Sequence, residues 1–208
     1  MKCGVCPRAC EIKEGGLGFC GARTVREGRV VPESYGVVTA MALDPIEKKP
    51  LRRFFPGSRI LSVGSYGCNF RCPFCQNYGI SMAKAPVPAT RMAPEELADR
   101  AESLRPDVNI GLAYTNNEPL VAYEFVRDCA AAIRARGMKN VVVTNGYIEP
   151  EPLAELLPLI DAWNIDLKSF SPEFYRWIGG ELEPVKETIR RAAAVAHVEV
   201  TTLVIPGK

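Results

Sequence analysis

The sequence predicts an α/β protein: a partial (β/α) barrel of the TIM-like kind, built on a parallel sheet and preceded by a small cysteine-rich segment. Three observations predict it. From Arg59 onward, short β-branched runs alternate with runs of helical period, the pattern of a parallel sheet with crossover helices. Each strand candidate is followed by a loop rich in Cys, Asn, Gly or charged residues. Seven of the eight cysteines fall into two clusters, three in the loop after the first strand and four within the first 20 residues.

Residues 1–28 carry many cysteines and glycines and few large apolar side chains, so they need a metal or a host domain to be ordered. In residues 29–58, "RVVPESYGVVTAMAL" alternates as a hairpin would, with "ESYG" as its turn, and leads into the extended loop "DPIEKKPLRRFFPGS". The barrel is expected over 59–208. "RILSVGSY" is its first strand, followed by the loop "GCNFRCPFCQN" and the Pro-rich connector "AKAPVPATRMAP". A helix starts at Pro94, with Glu95 and Glu96 at the positive end of its dipole and Pro106 as its stop.

"DVNIGLAY" is the second strand. The helix after Pro119 places Leu120, Tyr123, Val126, Ala130 and Ile133 on one face and ends at Gly137. "NVVVTNG" and "DAWNIDLKS" are the third and fourth strands, with a short helix near "PEPLAELL" between them. Ser171 caps another short helix, "EPVKETIRRAAAVA" forms a longer one, and "HVEVTTLVIPG" is the fifth strand. In βα barrels the functional loops lie at the carboxyl ends of the strands. "GCNFRCPFCQN", "TNNEP", "TNG", "DLKS" and "VIPGK" are therefore expected to open onto one face.

A net charge of +2 over 208 residues gives no electrostatic ground for binding nucleic acid or a membrane. No run approaches the roughly 20 apolar residues that span a bilayer, and "MKCGVCPRAC" lacks the apolar core of a signal peptide. A reducing cytoplasm is the expected location, which makes disulfides the wrong first reading of the cysteines. Cys129, alone in "YEFVRDCAAAIRARG", is expected as a small buried residue on a helix.

Cys68, Cys72 and Cys75 offer three thiolates with no nearby fourth ligand. A 4Fe–4S cube on three thiolates keeps one iron open. A zinc site needs a fourth ligand, and the sole histidine, His197, lies at the start of the fifth strand, where it reads as an ordinary strand-end residue. Cys3, Cys6, Cys10 and Cys20, spaced C-x2-C-x3-C-x9-C, suit either a closed zinc site or a fully ligated auxiliary iron–sulfur cluster, and spacing does not choose between them.

The CxxxCxxC spacing after a first strand resembles the radical S-adenosylmethionine (SAM) superfamily. "CNFRCPFCQN" resembles the cluster loop of the glycyl-radical activating enzymes, such as pyruvate formate-lyase activating enzyme. "DPIEKKPLRRFFPGSRILSVGSYGCNFRCPFCQN", together with "CGVCPRAC…GFCGAR", more closely resembles the radical SAM member of the AmmeMemoRadiSam system. The resemblance covers essentially the whole chain.

It implies a 4Fe–4S cluster on Cys68, Cys72 and Cys75. SAM would be chelated by the open iron and cleaved on reduction to a 5′-deoxyadenosyl radical, which takes hydrogen from a protein or small-molecule substrate. It also implies an electron donor such as a flavodoxin or ferredoxin. Phe74 matches the adenine-contacting aromatic, and its place between two cluster ligands is poorly suited to reach the core. Asn116, Asn117 and Glu118 stand where the family has Gly-Gly-Glu, the acid facing the methionyl ammonium; two asparagines replace the glycines.

Asp166 and Lys168 match an Asp-x-Lys motif that contacts SAM, and alternation along a strand points both to one side. Thr144 and Asn145 occupy the corresponding end of the third strand. Val143 stands where some activating enzymes carry an acid for a monovalent cation, so no cation is expected. The family barrel continues to a sixth strand, so the chain is expected to be a piece of a longer polypeptide with an open edge at its fifth strand. The competing reading is a non-catalytic electron carrier or metal-ordered interaction module, whose cluster would ignore SAM.

Overall fold

The computed structural model describes residues 1–84 and 87–207. Strands β1 (Arg23–Arg26) and β2 (Arg29–Pro32) form an antiparallel hairpin. It turns at Glu27 and Gly28, both at positive φ. The hairpin expected over 29–43 with a turn at Glu33–Gly36 is therefore displaced. The second half of that stretch pairs elsewhere: β3 (Val37–Val38) meets β6 (Thr90–Arg91), and β4 (Ala40–Pro45) runs antiparallel to β5 (Arg59–Gly64). Alternation marked the strands correctly but could not say which partner each would find.

The main sheet has six strands in the order β10-β9-β8-β7-β5-β4. Apart from antiparallel β4, every pairing is parallel, among β5, β7 (Asn109–Tyr114), β8 (Lys139–Thr144), β9 (Ala162–Asp166) and β10 (His197–Thr201). The five barrel strands match the sequence reading, with β10 at one edge of the sheet. Between them lie α1 (Tyr78–Ser81), α2 (Pro94–Ser103), α3 (Tyr123–Ala135), α4 (Pro150–Leu156), α5 (Pro172–Trp177) and α6 (Leu182–Ala193). Pro94 begins α2, and the Ser171 hydroxyl accepts from the Phe174 N–H at 3.2 Å to cap α5, as expected. Residues 85 and 86 of the Pro-rich connector, and Lys208 of "VIPGK", lie outside the described residues.

Each strand has two faces, and they pack against different things. Leu61, Val63, Leu112, Tyr114, Val142, Trp163 and Ile165 form one buried cluster with apolar residues of α2 to α6. On the opposite face Ile60, Ala113, Val141 and Ala162 pack against Ile46, Leu51 and Phe54. Helices on one face and a loop on the other make a singly wound, open barrel. The extended loop expected over 44–58 begins after β4, and its residues 46–58 are the plug of the concave side. Parallel strands buried on both faces carry mostly apolar residues, as β5, β7, β8 and β9 do, whereas edge strand β10 is only partly buried. Cys129 is fully buried on α3.

His197 begins β10, with its Nε2 2.9 Å from Glu199 Oε1 and its ring 5.5 Å from that of Phe54. No helix among the described residues is long and apolar enough to cross a membrane.

The closest approach in the sheet is at Gly111, where an added Cβ would lie 1.8 Å from the Lys139 carbonyl oxygen. Backbone on the neighbouring strand cannot yield as a side chain would. Gly111→Ala should cost about 3 kcal/mol of stability, read as a lowered midpoint in urea. An unchanged midpoint would mean that β7 and β8 can part without loss.

Candidate functional site

The carboxyl ends of the parallel strands surround a cavity of about 410 Å3. Its walls carry Cys68, Cys72, Phe74 and Cys75 from the loop after β5, and Asn116, Asn117 and Glu118 from the turn after β7. Thr144 and Asn145 come from the end of β8, and Asp166 and Lys168 from the end of β9. The structure thus brings every barrel residue singled out by sequence to one cavity. At the end of β10 the lining residues are Thr201 and Leu203, just ahead of the "VIPGK" stretch expected there. A wider depression of about 600 Å3 lies at the amino ends of β9 and β10, away from all of these groups.

The cysteine loop is held from several sides. Gly67 has a φ of +90°, and an added Cβ would sit 2.6 Å from Ala22 Cβ and 2.7 Å from the Cys20 carbonyl oxygen. The Cys68 N–H donates to that same carbonyl at 3.2 Å. The Arg71 N–H donates to the Ile178 carbonyl at 2.8 Å, and the Arg71 guanidinium donates back to the Cys68 carbonyl at 2.7 Å. Cys68 Sγ accepts from the Phe70 N–H at 3.4 Å and from Asn145 Nδ2 at 3.7 Å. Donors aimed at a ligating sulfur are the usual means of steadying a thiolate and tuning what it binds.

Glu118 is 3% exposed and its carboxylate is heavily used. Oε1 accepts from Leu120 N–H at 3.0 Å and from the Thr144 hydroxyl at 2.7 Å, and Oε2 accepts from Asn145 N–H at 2.8 Å. It therefore ties the turn after β7 to the end of β8 and also caps the 3-10 turn at Pro119–Ala122. Burial pushes its pKa up to about 7, with the three hydrogen bonds pulling the other way.

Lys168 Nζ lies 2.6 Å from Asp166 Oδ2, both side chains on the cavity side of β9's end. Burial works against the Lys168 ammonium. Asp166 outweighs it and holds the pKa above its ordinary value. The same burial pushes the Cys72 thiol up to about 11 and Cys68 further still, so a bare thiolate is disfavoured at either position. Coordination to iron removes the proton outright.

The comparisons agree with this geometry. The model of the Radical SAM superfamily matches residues 62–208. The chain belongs to the radical SAM superfamily. Its members use a 4Fe–4S cluster and SAM.

An uncharacterised protein of Methanocaldococcus jannaschii, MJ0808, is 45% identical over the whole chain, which spans 61% of that relative. Pyruvate formate-lyase 1-activating enzyme of Escherichia coli is 28% identical over 60% of the chain and 51% of its own length. The chain is thus related to the glycyl-radical activating enzymes and spans roughly half to three-fifths of the curated relatives it matches. Among solved structures, SuiB of Streptococcus suis, bound to precursor peptide SuiA, shares the fold. The TM-score is 0.53 at 11% identity, covering 69% of this chain and 32% of SuiB.

Within this radical SAM cavity, two sequence assignments need amendment, those of Asn117 and Phe74. Asn117 lines the cavity, but its side chain is committed to the protein. Nδ2 donates to the Tyr66, Gly67 and Glu118 carbonyls at 3.0, 3.3 and 3.2 Å, while Oδ1 accepts from the Ser65 N–H at 2.9 Å. It therefore braces the loop after β5. Asn116 takes a φ of +74°, which Asn tolerates better than most residues; this is how the asparagine replaces a glycine.

Phe74 lies closer to the core than expected. Its ring is 6.0 Å from Phe174 and 5.8 Å from Trp177, and it packs against the main apolar cluster, because α5 folds over the cysteine loop.

Sequence reasoning missed Asn69 and Tyr175. Asn69, 1% exposed, accepts from Asn145 Nδ2 at 2.8 Å and donates to the Tyr147 carbonyl at 2.7 Å. Its place beside Cys68 was the available signal. Tyr175 Oη accepts from the Lys168 N–H at 3.1 Å, a contact between the end of β9 and α5 that no sequence motif marks.

Cys3, Cys6, Cys10 and Cys20 do not reach this cavity. They line a separate, apolar one of about 10 Å3, with Asn69 and Arg23 also in its wall. Among the described residues no group of three or more His, Cys, Asp or Glu side chains is already placed to clasp a metal ion.

The titration of Glu118 carries a pH signature. Its folded pKa of about 7 exceeds the ordinary 4.5, so the native state retains a proton that the unfolded chain has lost between those values. Stability should therefore fall as pH rises from 4.5 to 7, by up to about 3 kcal/mol. Urea melts of the metal-free chain across that window, compared with Glu118→Gln, isolate the effect. The variant, neutral throughout, should lack this part of the slope; parallel profiles would show that Glu118 is ionised throughout.

Proposed function

We propose that this chain binds a 4Fe–4S cluster through Cys68, Cys72 and Cys75 and cleaves SAM reductively beside it, as a radical SAM enzyme of the AmmeMemoRadiSam type. When bound, such a cluster supplies an open iron and an electron, with which SAM yields methionine and a 5′-deoxyadenosyl radical that takes hydrogen from a substrate C–H bond. The observation that carries this reading is the convergence of three thiols, a buried carboxylate and a half-buried lysine on one cavity at the strand ends. A volume of about 410 Å3 lies within the range of small-molecule and cofactor sites.

Each side chain has a task there. Glu118 has four lone-pair sites, of which its three partners occupy both on Oε1 and one on Oε2. The remaining site can accept from the methionyl ammonium, and a cation there would draw the carboxyl back to its charged form. Lys168, oriented by Asp166, offers its ammonium to the SAM carboxylate or a ribose oxygen. Asn145 supports Cys68 Sγ. Phe74, beside Phe174 and Trp177, offers an apolar wall to adenine. The similarity to an activating enzyme and the N-terminal "CGVCPRAC…GFCGAR" support the family subtype. The electron would come from a flavodoxin or ferredoxin, and the hydrogen from a protein or small-molecule substrate.

The deciding measurement is anaerobic reconstitution followed by electron paramagnetic resonance of the reduced protein with and without SAM. A 4Fe–4S signal that shifts on adding SAM is expected; a signal that ignores SAM, in a chain extended past Lys208 as well, would favour a simple electron carrier. Lys168→Ala should leave the cluster signal intact and weaken SAM binding by about 10-fold or more, the loss of a charge-assisted contact. Unchanged affinity would remove Lys168 from the SAM site.

A further inference from the structure

The four N-terminal cysteines come from two strands of chain that cross. Cys3 N–H donates to the Cys10 carbonyl at 2.8 Å and Ala9 N–H to the Cys6 carbonyl at 3.0 Å, so the first three sit on one tight loop. The turn at 18–21, where Gly21 N–H donates to the Gly18 carbonyl at 2.9 Å, carries the fourth. All four thiols are free and face the same small cavity. An independent feature points into it. Arg23 is 3% exposed, its two terminal nitrogens bind Glu124 at 2.7 and 2.9 Å, and its Nε is buried with no hydrogen-bond partner. That residue also lines the cavity. A buried N–H without an acceptor, set against four sulfurs, is satisfied when those sulfurs become anionic.

We propose that Cys3, Cys6, Cys10 and Cys20 close on a single soft divalent ion, zinc, to form a tetrathiolate centre distinct from the barrel cavity. The space of about 10 Å3 between these side chains matches one small ion and is far smaller than the eight-atom core of a 4Fe–4S cluster. Binding turns the thiols inward about their Cα–Cβ bonds and releases four protons to solvent, with no change in oxidation state. The resulting net charge of −2 faces Arg23, whose Nε–H donates to a ligating sulfur.

This centre also positions the barrel site. Cys20 supplies the carbonyl that receives the Cys68 N–H, and Asn69, next to Cys68, lies in the wall of the same cavity. The ion thus pins the segment against which the first cysteine of the barrel loop is held.

The test uses the full chain with Cys68, Cys72 and Cys75 all changed to Ala, so that it stands or falls apart from the barrel reading. Anaerobic titration with Co2+ should give intense thiolate-to-metal absorption saturating at about one equivalent, and added Zn2+ should displace it. Cys10→Ser in that background should weaken binding at least ~10-fold. Absence of the absorption in a chain whose circular dichroism shows it folded would overturn the proposal. So would uptake of about four irons and four sulfides by the same triple variant, which would make the centre a cluster. In the otherwise native chain, the zinc site is expected to stay filled when Cys72→Ala abolishes iron binding.

Discussion

The turn after β7 is the point on which the cavity depends. Asn117 and Glu118 are adjacent, and each uses its whole side chain to hold another strand's end. Asn117 grips the backbone at Ser65, Tyr66 and Gly67, on the β5 side, and Glu118 grips Thr144 and Asn145 on the β8 side. A parallel sheet fixes its strands but leaves the loops at their ends free to diverge. Two polar side chains, Glu118 buried and Asn117 half-buried, remove that freedom through their hydrogen bonds. Buried amide and carboxylate groups are costly unless satisfied, so the same requirement that forces them to find partners also draws three loops together.

The chemistry of the site follows from what this brace leaves over. Asn145 is placed by its backbone contact to Glu118, and its side chain reaches both Cys68 Sγ and Asn69. Lys168 is held by Asp166 and, through its backbone, by Tyr175 of α5. Lys168 and the Asn145 amide thus stand near the thiols, and Glu118 and Asp166 share the same cavity. A protein that presents an anionic cluster to a zwitterionic cofactor needs that order of charge: positive groups toward sulfur and carboxylate, a carboxylate toward an ammonium.

The N-terminal segment belongs to the same architecture. Arg8 and Arg71 both stack on Phe19, at 3.5 and 3.9 Å from its ring centre, and Arg71 also donates to the Phe19 carbonyl. Arg8 donates to the Gly179 carbonyl beside α5. The segment is thereby sewn to the cysteine loop on one side and to α5 on the other. Its own apolar cluster, Cys3, Val5, Ile12 and Val25, is small, and the segment also docks onto α3 through the Arg23–Glu124 pair.

By itself, the sequence determined the alternation of strands and helices, the starts of α2 and α5, the cysteine loop and the set of loops that face one cavity. Those features are local: period, capping residues and motif spacing are written within a few positions of one another. Tertiary structure alone decided the rest. The pairing of β4 with β5, in place of a hairpin within 29–43, depends on which edge is free. The role of the 46–58 loop as a plug depends on a concave face that exists only once the sheet has formed. Whether an asparagine binds a ligand or braces a loop depends on which carbonyls lie within about 3 Å of it, and Asn117 finds three of them on Tyr66, Gly67 and Glu118. Contacts between residues about 50 positions apart leave no mark in a single sequence, because either partner alone is consistent with many folds.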